Sequence, residues 1–135
     1  MDRVVKRVLL TKTALPKLTR VAAYARVSSA KDAMHHSLSA QVSYYSSLIQ
    51  RHPGWQYAGV FADEAKTGTK DSREGFQNMI AACRAGSVDA IITKSISRFA
   101  RNTVTLLETV RELKGYGVDV FFEEQNIHTL SADGE

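Results

Sequence analysis

The stretch RVAAYARVSS, residues 20–29, decides the fold. Between Arg20 and Arg26 it runs VAAYA without a polar break, and it closes on Val27 and two serines. A short apolar run bounded by polar residues reads as a strand buried on both faces, the kind found in parallel sheets. The polar SSAKDAMHHS that follows reads as the loop leaving that strand. Ser37 then offers a helix cap, and Leu38, Val42, Tyr45, Leu48 and Ile49 share one face of the helix it starts. Pro53 and Gly54 stop that helix.

The same unit recurs further along. Trp55 to Ala62 reads as a second strand, followed by the polar loop DEAKTGTKDS. A second helix begins near Arg73 with Phe76, Met79, Ile80 and Cys83 at spacings of three and four, and Gly86 ends it. Ala90 to Thr93 reads as a third buried strand, and the basic, serine-containing KSISRFAR follows. Thr103 to Lys114 reads as a helix with Leu106, Leu107, Val110 and Leu113 inward, stopped by Gly115 and Gly117. Val118 to Phe122 gives a fourth strand. Strands alternating with helices of this length predict a three-layer α/β fold: a mostly parallel central sheet of four to five strands with helices on both faces.

Composition narrows the function classes. The chain has 135 residues, 44% hydrophobic and 24% charged, which suits one globular domain. No apolar run approaches the ~18 residues that span a bilayer, so no membrane partner is expected. Cys83 is the single cysteine, which excludes an internal disulfide and a cysteine zinc cage, and points to a reduced, cytoplasmic setting. The net charge of +4 is unevenly placed. Residues 1–20 hold six basic groups (Arg3, Lys6, Arg7, Lys12, Lys17, Arg20) against Asp2, while the remaining twelve basic groups face thirteen acidic ones. Residues 1–19 therefore read as a basic extension, either a solvated arm or one touching a nucleic-acid backbone, and residues 20–135 as the folded domain.

In parallel α/β sheets ligands sit beyond the carboxyl ends of the strands. That rule selects the segments after Val27, Ala62 and Thr93, which bring Arg26 and Ser28, Asp63 and Arg73, and Arg98 and Arg101 to one edge. Guanidinium forks suit phosphate, holding it by parallel hydrogen bonds without losing charge. Cations around a phosphodiester stabilise the charge that builds on its non-bridging oxygens, and a serine among them is eased toward attack. No G-x-S-x-G elbow surrounds Ser28 and no Ser-His-Asp order is evident, which favours phosphoryl transfer over acyl hydrolysis.

Four ordered motifs sharpen this. YARVSS (24–29) resembles the opening motif of the serine recombinases, the resolvase/invertase family of site-specific DNA recombinases. SLSAQ (37–41) is similar to the family's next motif, FADEAKTGTKDSREGF (61–76) to its D-x-x-x-S/T-G…R segment, and TKSISRFARNT (93–103) to its third block, most closely in the large serine recombinases and transposases. The resemblance spans about Arg20 to Glu135. It implies a resolvase-like fold and site-specific recombination by DNA strand cleavage and rejoining. In that reading Ser28 is the nucleophile that forms a 5′-phosphoserine intermediate. Arg26, Arg98 and Arg101 bind the scissile phosphate, Arg73 is a further active-site arginine, and Asp63 orients the guanidiniums. Gln41 lies near the site, and Thr67 fills the hydroxyl position before Gly68 and contacts DNA.

The resemblance also implies double-stranded DNA as partner, self-association into dimers and tetramers, a nucleoid-associated location, and no cofactor, metal or ATP. Ser97 stands where small resolvases carry an aspartate proposed as leaving-group acid, so that acid stays unassigned. SADGE ends the chain where the family begins a long dimerisation helix leading to the DNA-binding region. A truncated catalytic domain, mostly monomeric in isolation, is the expectation that follows. A non-catalytic DNA-binding or assembly module with the same fold is the alternative. Ser29 is the less favoured neighbour of Ser28. The pair His35 and His36 reads as loop, since adjacent histidines diverge and lack further metal ligands. Asp63 and Glu64 read as partners of nearby arginines rather than a magnesium site. Cys83 reads as core, and Tyr44 and Tyr45 as packing residues with Tyr44 the more exposed.

Overall fold

The central sheet is laid out around the strand read first. In the computed structural model, which describes residues 18–27, 38–64, 73–100 and 102–130, β1 (Thr19–Val27) lies between β2 (Trp55–Glu64) and β3 (Ala90–Thr93). β4 (Asp119–Phe122) pairs with β3, and a two-residue β5 (Ile127–His128) closes the order β2-β1-β3-β4-β5. The first four strands are mutually parallel and β5 runs antiparallel to β4. The helices are α1 (Leu38–Arg51), α2 (Glu74–Arg84), the single turn α3 (Ile96–Phe99) and α4 (Thr103–Gly115). None of the described helices is long and apolar enough to cross a membrane.

The two faces of β1 explain the layers. Side chains alternate across a strand, so Val21, Ala23 and Ala25 point to one side, where Tyr45 and Ile49 of α1 pack with Ile92. Ala22 and Tyr24 point to the other, into a cluster with Phe76, Met79, Ile80 and Cys83 of α2, Phe99 of α3 and Leu113 of α4. Both faces of β1 are covered, which is why residues 21–25 at its centre carry no charge and read as an unbroken apolar run. Its alanines let the helices approach the sheet closely. On the second face the rings of Tyr24, Phe76, Phe99 and Phe122 form an edge-to-face chain with centroid spacings of 5.3, 5.1 and 5.5 Å. Each such pair adds roughly 0.5–1.5 kcal/mol beyond area burial, and the chain fastens the short α3 to both the sheet and α2.

The expected three-layer, mostly parallel fold is the one observed. Four local differences have physical causes. β2 continues to Glu64 because the ladder with β1 carries on through Arg26–Asp63 and Val27–Glu64, so Asp63 belongs to a strand rather than a loop. Residues 96–99 form α3, capped by Ser95, whose side chain accepts the Arg98 N–H; one turn is too short to show helical periodicity. β5 is held by Thr129, whose N–H donates to Val120 O at 3.0 Å and whose Oγ1 accepts the Val120 N–H at 3.0 Å. Leu107, expected inward, is 46% exposed: α4 packs against the core through Leu113, fully buried, and Leu106, partly buried, which leaves Leu107 on its outer side. The basic extension falls almost entirely outside the described residues, as do Ser37 and the His35–His36 pair.

Candidate active site

The chain leaves β1 for β2 on one side and returns to β3 on the other, so the order reverses at β1. The crevice beyond the carboxyl ends of β1 and β3 is the switch point at which such sheets receive ligands. Arg98 bridges it. From α3, just past β3, its Nη1 donates to the backbone oxygen of Arg26 at the end of β1, at 2.6 Å. Behind that contact the two strands are tied by Thr93, fully buried, whose Oγ1 donates to Tyr24 O at 3.0 Å.

Asp63 organises the second side of the site. It ends up opposite Arg26 in the β1–β2 ladder. Its Oδ1 accepts the N–H of Gly75 at 2.7 Å, and its Oδ2 accepts the N–H of Phe76 at 2.9 Å and the Tyr24 hydroxyl at 2.7 Å. A carboxylate at a helix N-terminus satisfies donors that the helix leaves open and meets the positive end of its dipole. Here it arrives from a neighbouring strand, and close approach is required: a Cβ on Gly75 would lie 2.3 Å from Ala62 O.

With Asp63 capping α2, Arg73 is released from that task. Its backbone adopts the left-handed conformation (φ 52°, ψ 48°), uncommon for a residue with a Cβ, and its side chain makes no cap hydrogen bond. The guanidinium lies over the Phe76 ring, 3.9 Å from its centroid, and 5.3 Å from that of Tyr24. Its Nη2 donates to Phe99 O at 2.7 Å and its Nε to the Tyr24 hydroxyl at 3.4 Å. Arg73 thus grips the last carbonyls of α3, the turn that carries Arg98. Asp63 reaches Arg73 through the Tyr24 hydroxyl instead of by a direct ion pair. Burial, and next the hydrogen bond to Asp63, push the Tyr24 phenol well above its ordinary value, against the opposing pull of Arg73. Tyr24 therefore stays a neutral hydroxyl that donates to Asp63 and accepts from Arg73.

The structure brings Arg26, Asp63, Arg73 and Arg98 together at one edge. Gln41 lies in the first turn of α1, half-buried, on the helix that covers the other face of β1. Ser28, Thr67 and Arg101 lie outside the described residues, although Ser28 directly follows β1 and Arg101 directly follows Ala100. Ser97 is exposed, its Oγ 3.1 Å from that of Ser95. Cys83 is buried in the core, and burial pushes its thiol up to about 11, so it carries no thiolate chemistry at ordinary pH. Among the described residues no cluster of three or more His, Cys, Asp or Glu has metal-binding geometry.

Three residues with clear positional work had no role assigned from sequence. Tyr24 stood in plain view inside YARVSS, and a tyrosine at the end of an otherwise small-residue buried strand was the signal. Gly75, directly before the buried Phe76 at a helix start, was a second. Glu123, at the end of β4, accepts hydrogen bonds from Tyr45 at 2.7 Å and Tyr44 at 3.2 Å, and nothing in the local sequence marked it.

This is the plan of an α/β domain with arginines gathered at the switch point of a mostly parallel sheet. The family described as Resolvase, N terminal domain, matches residues 21–135. Among solved structures, the N-terminal catalytic domain of TP901-1 integrase superposes with a TM-score of 0.69 at 24% identity, covering 86% of this chain and 85% of that one. A resolvase family site-specific recombinase from Streptococcus pneumoniae gives 0.67 at 28% identity, covering 82% and 75%. The C-terminal catalytic domain of ISC1926 TnpA, an IS607-like serine recombinase, gives 0.62 at 23%, covering 77% and 70%. No curated protein matches the chain. The chain belongs to the resolvase family of serine recombinases and corresponds to the family's catalytic domain, whose work is site-specific DNA recombination.

Proposed function

We propose that this domain cuts and rejoins double-stranded DNA through a covalent 5′-phosphoserine formed by Ser28. The Ser28 oxygen attacks the phosphorus, its proton passes to the departing 3′ oxygen, and a free 3′-hydroxyl remains. One phosphoester forms as another breaks, so the step needs neither nucleotide hydrolysis nor a metal. Arg26, Arg98 and Arg101 surround the non-bridging oxygens and stabilise the charge that develops there. Thr67 adds a hydroxyl contact to the DNA. Gln41 borders the site from α1. Arg73 and Asp63 act through the segment that presents Arg98. Reversal of the step by the 3′-hydroxyl of another strand, within an assembly of subunits, rejoins the ends. The resemblance of residues 93–103, with Ser97 before Arg98, favours the large branch of the family.

The observation that carries this reading is the bridge from Arg98 to the Arg26 carbonyl across the β1–β3 crevice, two residues before Ser28. The test incubates the full-length protein with its recombination site in the presence of a chelator and resolves protein–DNA adducts by denaturing electrophoresis. An adduct with a free 3′-hydroxyl, lost in Ser28→Ala, is expected. An adduct that persists in Ser28→Ala, or that forms only with magnesium, overturns it.

A further inference from the structure

We propose that Glu123 is a positioning residue, clamping α1 to the carboxyl edge of the sheet through the hydroxyls of Tyr45 and Tyr44 so that Gln41 and Arg98 hold their places at the phosphate. The proposal rests on the reading of that edge as the site of strand cleavage.

Glu123 is fixed from behind. Its N–H donates to Thr93 O at 2.9 Å, the next N–H, of Glu124, donates to Lys94 O at 2.8 Å, and Asn126 N–H closes the turn onto Phe122 O at 2.7 Å. The carboxylate thus leaves the ends of β3 and β4 from a rigid base. Its Oε1 accepts the Tyr45 hydroxyl at 2.7 Å and its Oε2 the Tyr44 hydroxyl at 3.2 Å, across 78 and 79 residues of sequence. Both oxygens of one carboxylate are therefore given to one helix.

Tyr45 is the stronger arm. Its ring is 3% exposed and packs with Ala23, Ala25, Ile49 and Ile92. Burial and then the bond to Glu123 hold its phenol far above the ordinary value, so it donates at any physiological pH. Tyr44 is half-exposed and meets the Tyr45 ring edge-on at 5.0 Å, bracing it. Gln41 precedes Tyr45 by four residues, one turn up the same face of α1. A rotation or slide of α1 about the Tyr45 anchor moves Gln41 with it. Arg98 lies near enough for its charge to act on the Tyr45 phenol, so the clamp and the arginine of the crevice share one electrostatic neighbourhood. The same edge is thus held from two sides: Asp63, Tyr24 and Arg73 grip α3, while Glu123 and the two tyrosines grip α1.

A merely stabilising contact and a positioning contact differ in what they change. The test compares Glu123→Ala, Glu123→Gln, Tyr45→Phe and the double variant Glu123→Ala/Tyr45→Phe in the full-length protein, below the melting temperature of each. Single-turnover cleavage at saturating DNA is read beside DNA affinity. Glu123→Ala and Tyr45→Phe should each slow cleavage at least about tenfold, since small misplacements at a reacting centre are costly. Affinity should stay within about twofold, and the double variant should be no slower than either single one. Glu123→Gln, which keeps an acceptor for Tyr45, should recover much of the rate. Independently of activity, the NMR signals of the Gln41 side-chain amide and the Arg98 Nε–H should shift in Glu123→Ala and Tyr45→Phe, and stay in place in Glu112→Gln, a surface variant between α2 and α4. Unmoved Gln41 and Arg98 signals, or cleavage loss that merely follows the folded fraction, would overturn the clamp. A parent protein that never cleaves would instead overturn the functional reading, with the NMR arm still deciding the clamp.

Discussion

Gly75→Ala should destabilise the domain by roughly 2–4 kcal/mol, although alanine is the better helix former by about 1 kcal/mol. The added Cβ would sit 2.3 Å from Ala62 O and 2.8 Å from Ala62 C, where ordinary contact begins near 3.4 Å, so the start of α2 must retreat by about 1 Å. The obstacle is the backbone of β2, held by its ladder to β1, and cannot swing aside. Retreat by that much stretches the 2.7 and 2.9 Å bonds from Gly75 and Phe76 to Asp63 beyond hydrogen-bond range. Hydrogen bonds to a charged acceptor contribute about 1.5–3 kcal/mol each; re-solvation of this half-buried site returns part of the loss, and the helix preference of alanine returns a little more. Gly115, also helical, has nothing within 4 Å of its would-be Cβ, so Gly115→Ala should be neutral or stabilising by up to about 1 kcal/mol. Urea titration followed by far-UV circular dichroism measures both, with the slope serving as a check that the transition stays two-state. Because Asp63, Tyr24 and Arg73 are linked in series to α3, Gly75→Ala should also lower cleavage when the protein remains folded. Equal midpoints for the two alanine variants, or a gain at Gly75, would refute the close-approach account and the role given to Asp63.

Other perturbations probe the same network. Asp63→Asn leaves one acceptor oxygen but turns an amide toward an N–H or the Tyr24 hydroxyl, and should cost about 2 kcal/mol in urea denaturation. Arg73→Lys keeps the charge and loses the fork that reaches Tyr24 and Phe99 together; cleavage should fall more than the melting temperature does, and a parallel fall of both would make Arg73 a stability residue alone. Burial raises the Cys83 thiol from 9.0 to about 11. Between those pH values unfolding releases a proton, so stability should decline as pH rises through that window and be insensitive to this thiol below it. In Cys83→Ala that part of the slope should vanish, measured as the difference in urea midpoints between pH 8 and pH 10.5.

The sheet and the long helices were legible because burial imposes a period: AII (90–92) and VAAYA (21–25) are unbroken by charge since both faces of their strands are covered, and Phe76, Met79, Ile80 and Cys83 recur at helical spacing since one face of α2 is. The site was legible in kind, because its arginines follow strand ends in a fold whose ligand edge is known in advance. What stayed hidden is tertiary. Asp63 caps a helix that starts eleven residues later, a link that no local capping rule reads. Arg73 was read as an active-site arginine, and its hold on the backbone carbonyls of α3 could not be seen from sequence. Glu123 meets Tyr45 across 78 residues of chain, and Leu107 follows helical spacing yet is 46% exposed because Leu106 and Leu113 take the core side of α4.

The most direct measurement of the central claim is to trap the protein on its cleaved DNA without metal, digest both, and identify by mass spectrometry the residue that carries the nucleotide. The account predicts a 5′-phosphate esterified to Ser28, on the peptide that also contains Arg26. A nucleotide on Ser29, on any other residue, or joined through a 3′-phosphate would contradict it.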